Sequence, residues 1–191
     1  MTLLCEIAYK YGTDKCPKVY HSYTPFYYEL LKDKQQTIKK VLELGIGYQD
    51  NIRHVSKEYQ KGASLYMWRD FFPNAQIYGA DINSNTLFKD ERIETFLCDE
   101  RKPIHLKKLI ERTGSDIDLF IDDGSHLRSN QIRTCKTLMP LFQKDVIYII
   151  EDSKRTEFVR ESLSEYDCQI FKFPNIRQVD DNIILVKNKH D

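Results

Sequence analysis

Five short apolar runs, rich in β-branched and aromatic residues, punctuate the chain at residues 41–46 (VLELGI), 76–82 (QIYGADI), 94–98 (ETFLC), 118–123 (DLFIDD) and 146–152 (VIYIIED). Their length and composition predict buried strands, several of which finish in acids. Between them lie helical patterns: residues 64–72, residues 103–112, and a segment in which Ile132, Cys135, Leu138 and Phe142 recur at helical spacing. Such alternation predicts a parallel sheet with helices on both faces. Near the end, residues 168–173 and 182–187 flank a turn-rich stretch with Pro174, Asn175, Asp180 and Asp181, the pattern of an antiparallel pair. At the other end, YHSYTPFYYELL (residues 20–31) predicts a helix with Thr24 as N-cap and Pro25 at its first position.

With 191 residues the chain suits one domain: an N-terminal helical cap over residues 1–40 and an α/β core over 41–191. Its 29 Lys+Arg balance 29 Asp+Glu, so no overall field draws it to nucleic acid or an anionic membrane. The basic run RKPIHLKKLIER reads as a solvated helix face. The longest apolar run, VIYII, is far short of a membrane span, and Glu6 interrupts the apolar start before it resembles a signal peptide. A cytoplasmic location is expected. Five scattered cysteines, odd in number and without a C-x-x-C pair, argue for reduced thiols and against a zinc site.

In an open α/β sheet, ligands gather beyond the carboxyl ends of the strands. Glu43 and Gly45 end the first strand, in a loop that lacks the full G-x-G-x-x-G spacing, so a nucleoside without a pyrophosphate fits better than a dinucleotide. Asp81 ends the second strand, where an acid commonly accepts from ribose hydroxyls; a helix cap is its bland role. Asp99, after the third, is a candidate acceptor for an adenine amino group or an ordinary surface turn.

Two acidic clusters finish the fourth and fifth strands: Asp122 with Asp123, and Glu151 with Asp152. Parallel neighbours would bring all four carboxylates to one edge. Crowded carboxylates persist when they are solvated, protonated or bridged by a cation, and oxygen-only donors select a hard ion such as magnesium or manganese. Capping or a structural acid network is the competing reading. His126, three residues beyond Asp123, would border that cation and serve as a base; a lone histidine is otherwise structural.

Taken together, YGTDK (11–15), VLELGIG (41–47), GASLYMWRDFFPNAQIYGADI (62–82), IDDGSH (121–126) and IEDSK (150–154) resemble the metal-dependent sugar O-methyltransferases of macrolide and related glycoside biosynthesis. The resemblance implies a class I S-adenosylmethionine (SAM) methyltransferase fold, Rossmann-like, with a mostly parallel sheet, helices on both faces and an antiparallel C-terminal strand. It implies SAM and Mg2+ (or Mn2+) as cofactors and a sugar or glycoside hydroxyl as methyl acceptor. Carried over by motif position, Asp123, Glu151 and Asp152 would hold the metal and His126 would be the base. Thr13, Glu43, Gly45, Ser64, Asp81, Asp99 and Asp122 would serve the cofactor side, with Asp122 supporting. A catechol or other small-phenol acceptor is the rival within the class, and a non-catalytic SAM-fold binding module is the rival outside it. Acceptor identity and a homo-oligomeric assembly stay open.

Overall fold

The computed structural model describes residues 1–47, 59–143, 145–173 and 181–189. Two helices come first, α1 (Leu3–Tyr11) and α2 (Tyr23–Leu31), followed by β1 (Lys40–Leu44) and α3 (Ala63–Phe71). Next are β2 (Gln76–Asp81), the two-residue β3 (Lys89–Asp90), β4 (Ile93–Leu97) and α4 (Pro103–Thr113). Then follow β5 (Leu119–Asp122), α5 (Arg128–Leu138), β6 (Ile147–Glu151), α6 (Thr156–Ser162), β7 (Tyr166–Lys172) and β8 (Asn182–Asn188). The strands form one eight-stranded sheet in the order β3-β4-β2-β1-β5-β6-β8-β7. Chain order reverses beside β1, whose neighbours β2 and β5 are both parallel to it. That reversal makes the crevice in which such sheets bind ligands.

Alternation along the central strands divides the core into two layers. Val41, Ile77, Leu119, Ile121 and Ile149 face Leu4, Tyr23, Leu65 and Trp68 of the first three helices. Leu42, Phe120, Tyr148 and Ile150 face Leu106, Cys135 and Val159 of the last three. Helices thus cover both faces, as the periodicity predicts. β8 runs antiparallel to both β6 and β7, supplying the expected reversed strand. The stretch expected to turn at Pro174, Asn175 and Asp180 lies outside the described residues.

One helix start differs from expectation. α2 begins at Tyr23 with Ser22 at its N-cap, so Thr24 and Pro25 lie within the first turn. The carbonyl of Lys15 accepts from the amides of both Tyr23 and Thr24, at 3.2 and 3.1 Å. These bonds satisfy donors that a side-chain cap would otherwise serve. Thr24 is instead buried, its hydroxyl 3.0 Å from the Cys5 sulfur. α5 also stops at Leu138, short of Phe142, and a 3-10 turn over Met139–Leu141 containing Pro140 follows it. α1 and α6 are helices the apolar pattern did not single out. The five cysteines are free thiols, as expected. Among the described residues no helix is long and apolar enough to cross a membrane.

Candidate active site

Strand register brings the candidate residues together. Leu44 pairs with Asp122, and Asp122 with Ile150, so the residues that follow, Gly45, Asp123 and Glu151, emerge side by side. Gly45 has φ +89°, and a Cβ there would stand 2.0 Å from the Asp123 carbonyl oxygen. Only glycine lets the loop after β1 lie against the loop after β5. Donor atoms of Asp123, His126 and Asp152 lie within 4.8 Å of one another. His126 Nε2 is 3.0 Å from Asp123 Oδ1 and 3.7 Å from Asp152 Oδ2. His126 and Asp152 both occupy the left-handed region, at φ 55° and 54°. Such backbone costs on the order of 1–3 kcal/mol per residue and persists where surrounding contacts over-determine it.

A ring of buried side chains from the N-terminal segment supplies those contacts. Lys15, only 1% exposed, puts its ammonium 2.5 Å from Asp123 Oδ2, 2.5 Å from Glu151 Oε2 and 3.7 Å from Glu43 Oε1. Tyr27 donates its hydroxyl to the other Glu151 oxygen at 2.5 Å, and Tyr23 donates to Asp152 Oδ1. Tyr23 and Tyr27 are four residues apart on α2, so both phenols point from one helix face. His21 stacks on Tyr23 and lies 3.5 Å from Asp152 Oδ2 and 3.2 Å from Asp181 Oδ1.

Charge follows from this packing. Burial opposes the Lys15 ammonium, but Asp123, Glu151 and Glu43 outweigh it and hold the amine charged well past its usual range. Against the cost of burial, Lys15 and His126 keep the Asp123 carboxyl well below the carboxylate range. Asp152 is pushed up to about 6 by burial, with His21 opposing. Burial disfavours the His126 imidazolium, yet the Asp123 hydrogen bond and the neighbouring carboxylates raise its pKa to about 9. Glu43 is pushed up to about 7 by burial, against the pull of Lys15.

Beside this edge opens a cavity of about 250 Å3, lined among others by Gly45, Asp81, Ile82, Asp99, Glu100 and Ser125. Asp81 accepts from the amides of Ile46 and Asn83, at 3.0 and 2.8 Å, which fixes the carboxylate at the cavity wall. Asp99 is gripped in a fork by Arg101, at 2.8 and 3.0 Å, which lowers its pKa to about 2. Glu100, which sequence reasoning passed over, takes the Ser125 amide at 3.0 Å and the Asn130 side chain at 3.2 Å through one oxygen. Its other oxygen is buried without a hydrogen-bond partner.

The expected residues therefore fall into three places. Asp123, His126 and Asp152 converge, while both oxygens of Glu151 face Lys15 and Tyr27. Gly45, Asp81 and Asp99 line the cavity. Thr13, Glu43, Ser64 and Asp122 are all buried and are absent from its lining. Glu43 receives the Trp68 indole N–H at 2.6 Å, and burial raises the Asp122 carboxyl well above its usual range, helped by Glu100. The resemblance suggests that the segment carrying Lys15 folds over the cofactor, whereas its ammonium lies among the acids. Tyr23 and Tyr27, whose aromatic series could equally line an acceptor cleft or pack on the sheet, hold Asp152 and Glu151, and neither His21 nor Glu100 has a role legible in the sequence. The i, i+4 spacing of the two tyrosines was the one available signal.

The reversal at β1, the strand order and the cavity beyond the carboxyl ends define a class I methyltransferase fold. A MycE methyltransferase from the mycinamycin pathway, solved with Mg, SAH and mycinamycin VI, superposes with a TM-score of 0.73 at 25% identity over 97% of this chain and 54% of that one. No family model matches the chain. Its curated homologues are sugar O-methyltransferases, so the resemblance found in the sequence stands. The demethylmacrocin O-methyltransferase of Streptomyces fradiae is 35% identical over 149 residues, 78% of this chain and 36% of that protein. The mycinamicin VI 2''-O-methyltransferase of Micromonospora griseorubida is 34% identical over 78% of this chain and 35% of its own length. A rhamnosyl tetracenomycin-C 2'-O-methyltransferase of Streptomyces olivaceus is 30% identical, over 78% and 37%. The matched region is thus little more than a third of each of these relatives.

Proposed function

We propose that the chain is a SAM-dependent O-methyltransferase that methylates a sugar hydroxyl of a glycan or glycoside, with Mg2+ or Mn2+ at the Asp123–Asp152 edge. The observation that carries this reading is the convergence of two carboxylates and an imidazole within 4.8 Å, beside a cavity at the carboxyl ends of the strands. Two carboxylates suit a hard divalent ion, with the imidazole beside them free to act as a base, and backbone strain at Asp152 and His126 is typical of a working site. Asp123 and Asp152 would hold the metal, with Glu151 adjacent as the third acid of the expected set. A bound ion would polarise the acceptor hydroxyl and offset the negative charge that otherwise keeps His126 protonated.

The chain's own residues do the rest. The carboxylate of Asp81, steadied by two backbone amides, is aimed to accept from ribose hydroxyls, and Ile82 and Leu127 offer apolar surface in the same cavity. His126, half-buried at the rim, would take the hydroxyl proton as the oxygen bonds to the methyl carbon and the carbon–sulfur bond of the sulfonium breaks, leaving SAH. General-base help of this kind contributes about a hundredfold to ten-thousandfold. Holding both reactants in attack geometry contributes more, roughly 7–11 kcal/mol.

The test is calorimetric titration with S-adenosylhomocysteine (SAH), followed by methyl transfer from labelled SAM onto monosaccharides, glycosides and catechols with and without EDTA. SAH binding and EDTA-sensitive transfer to a glycoside are expected. Transfer indifferent to complete chelation would remove the metal. Preference for catechols would move the acceptor class, and SAH binding without any transfer would mark a binding module.

A further inference from the structure

We propose that Lys15 is a built-in counter-cation of the acidic edge, occupying the inner position among Glu43, Asp123 and Glu151 and thereby limiting how tightly a divalent ion is held at the outer rim. The inference rests on the metal reading above. Lys15 lies in the turn between α1 and α2, far in sequence from every carboxylate it touches, yet its side chain is 2% exposed and its ammonium contacts two of them at 2.5 Å. The third, Glu43, stands 3.7 Å away. A buried charge held so closely is a fixed part of the site's electrostatics, because solvent screens it little.

The two oxygens of Asp123 divide the edge. Oδ2 faces Lys15, and Oδ1 faces His126 and the rim. The same carboxylate therefore serves a permanent cation on one side and the exchangeable one on the other. Two positive charges sharing one carboxylate repel, so removing the ammonium should strengthen metal binding. A purely scaffolding lysine predicts the opposite, since its loss would let Asp123 and Glu151 drift and weaken binding. Held at 3.2 and 3.1 Å from its carbonyl, the first-turn amides of α2 fix the Lys15 backbone, so the cation is anchored from the helix that also carries Tyr23 and Tyr27.

The experiment titrates Mn2+ alone into the protein without cofactor, reading free Mn2+ by electron paramagnetic resonance. Lys15→Met should bind Mn2+ at least about tenfold tighter, or take a second ion, whereas Lys15→Arg should stay within about threefold of wild type. Unchanged or weaker binding by Lys15→Met overturns the proposal. Should that variant fail to fold, the double variant Lys15→Met/Glu43→Gln removes one charge of each sign; tighter Mn2+ binding is again expected, and equal or weaker binding again overturns it. A wild-type chain that binds no Mn2+ while Lys15→Met does supports the counter-cation. If neither binds, the metal reading itself fails and takes the inference with it.

Discussion

The carboxyl edge of the sheet holds two acidic regions built in opposite ways. At the end proposed to hold the metal, Asp123, Glu151 and Asp152 are locked by Lys15, Tyr23, Tyr27 and His21, all buried side chains from the N-terminal segment. At the cavity end, Asp81 and Asp99 are held by nearby backbone amides and by the exposed Arg101. The first region is held by partners more than a hundred residues away in sequence, the second by Ile46, Asn83 and Arg101 at much shorter separations. The contrast fits the proposed roles: carboxylates that would share a cation need neighbours able to balance crowded charge, whereas carboxylates that would accept from a nucleoside need only be aimed.

The largest effect is expected at the first region. His126→Ala should cut turnover by about a hundredfold to ten-thousandfold with SAH affinity intact. Loss of SAH binding with unchanged turnover at saturation would assign the histidine to the cavity instead. Next, Asp152→Asn should weaken Mn2+ binding by more than about a hundredfold, beyond what loss of an outer partner of a metal ligand costs, while calorimetry with SAH is unaffected. An equal loss of both would merge the regions into one. Third, Gly45→Ala strikes the seam between them, because its Cβ would collide with the Asp123 carbonyl at a positive φ. A destabilisation of about 1–3 kcal/mol in urea unfolding, with weaker binding of both SAH and Mn2+, is expected.

The smallest effect belongs to the cavity acid. Arg101 depresses the folded-state pKa of Asp99 to about 2, below the ordinary value of about 4 for an unfolded chain. Its contribution to stability is thus complete above about pH 4 and fades as pH falls towards 2. Asp99→Asn should flatten that acid limb of the stability profile slightly, by no more than a solvent-screened ion pair contributes. A steep change would show Asp99 to be as tightly built in as Asp123 and Glu151.

The five central strands were legible because buried parallel strands are short, β-branched and continuous, and their boundaries agree with β1, β2, β4, β5 and β6 to within two residues. The meeting of Asp123, His126 and Asp152 at one edge was legible because residues that finish adjacent parallel strands emerge side by side. α1 escaped notice, and α2 began earlier than Thr24 and Pro25 indicated, because a backbone carbonyl 8 residues before Tyr23 does the work of a cap. No local pattern announces such a bond.

From its amino acids alone, this chain specified an alternating α/β sheet with acids at the strand ends, since periodicity and turn chemistry act over a few residues. Tertiary structure decided which of those acids meet, that Lys15 lies among three of them, and that Tyr23 and Tyr27 hold Asp152 and Glu151. The pairings of Lys15 with Asp123 and Glu151, of Tyr23 with Asp152 and of Tyr27 with Glu151 span more than a hundred residues, and only the register of β1, β5 and β6 together with the docking of α2 brings those partners within hydrogen-bond reach.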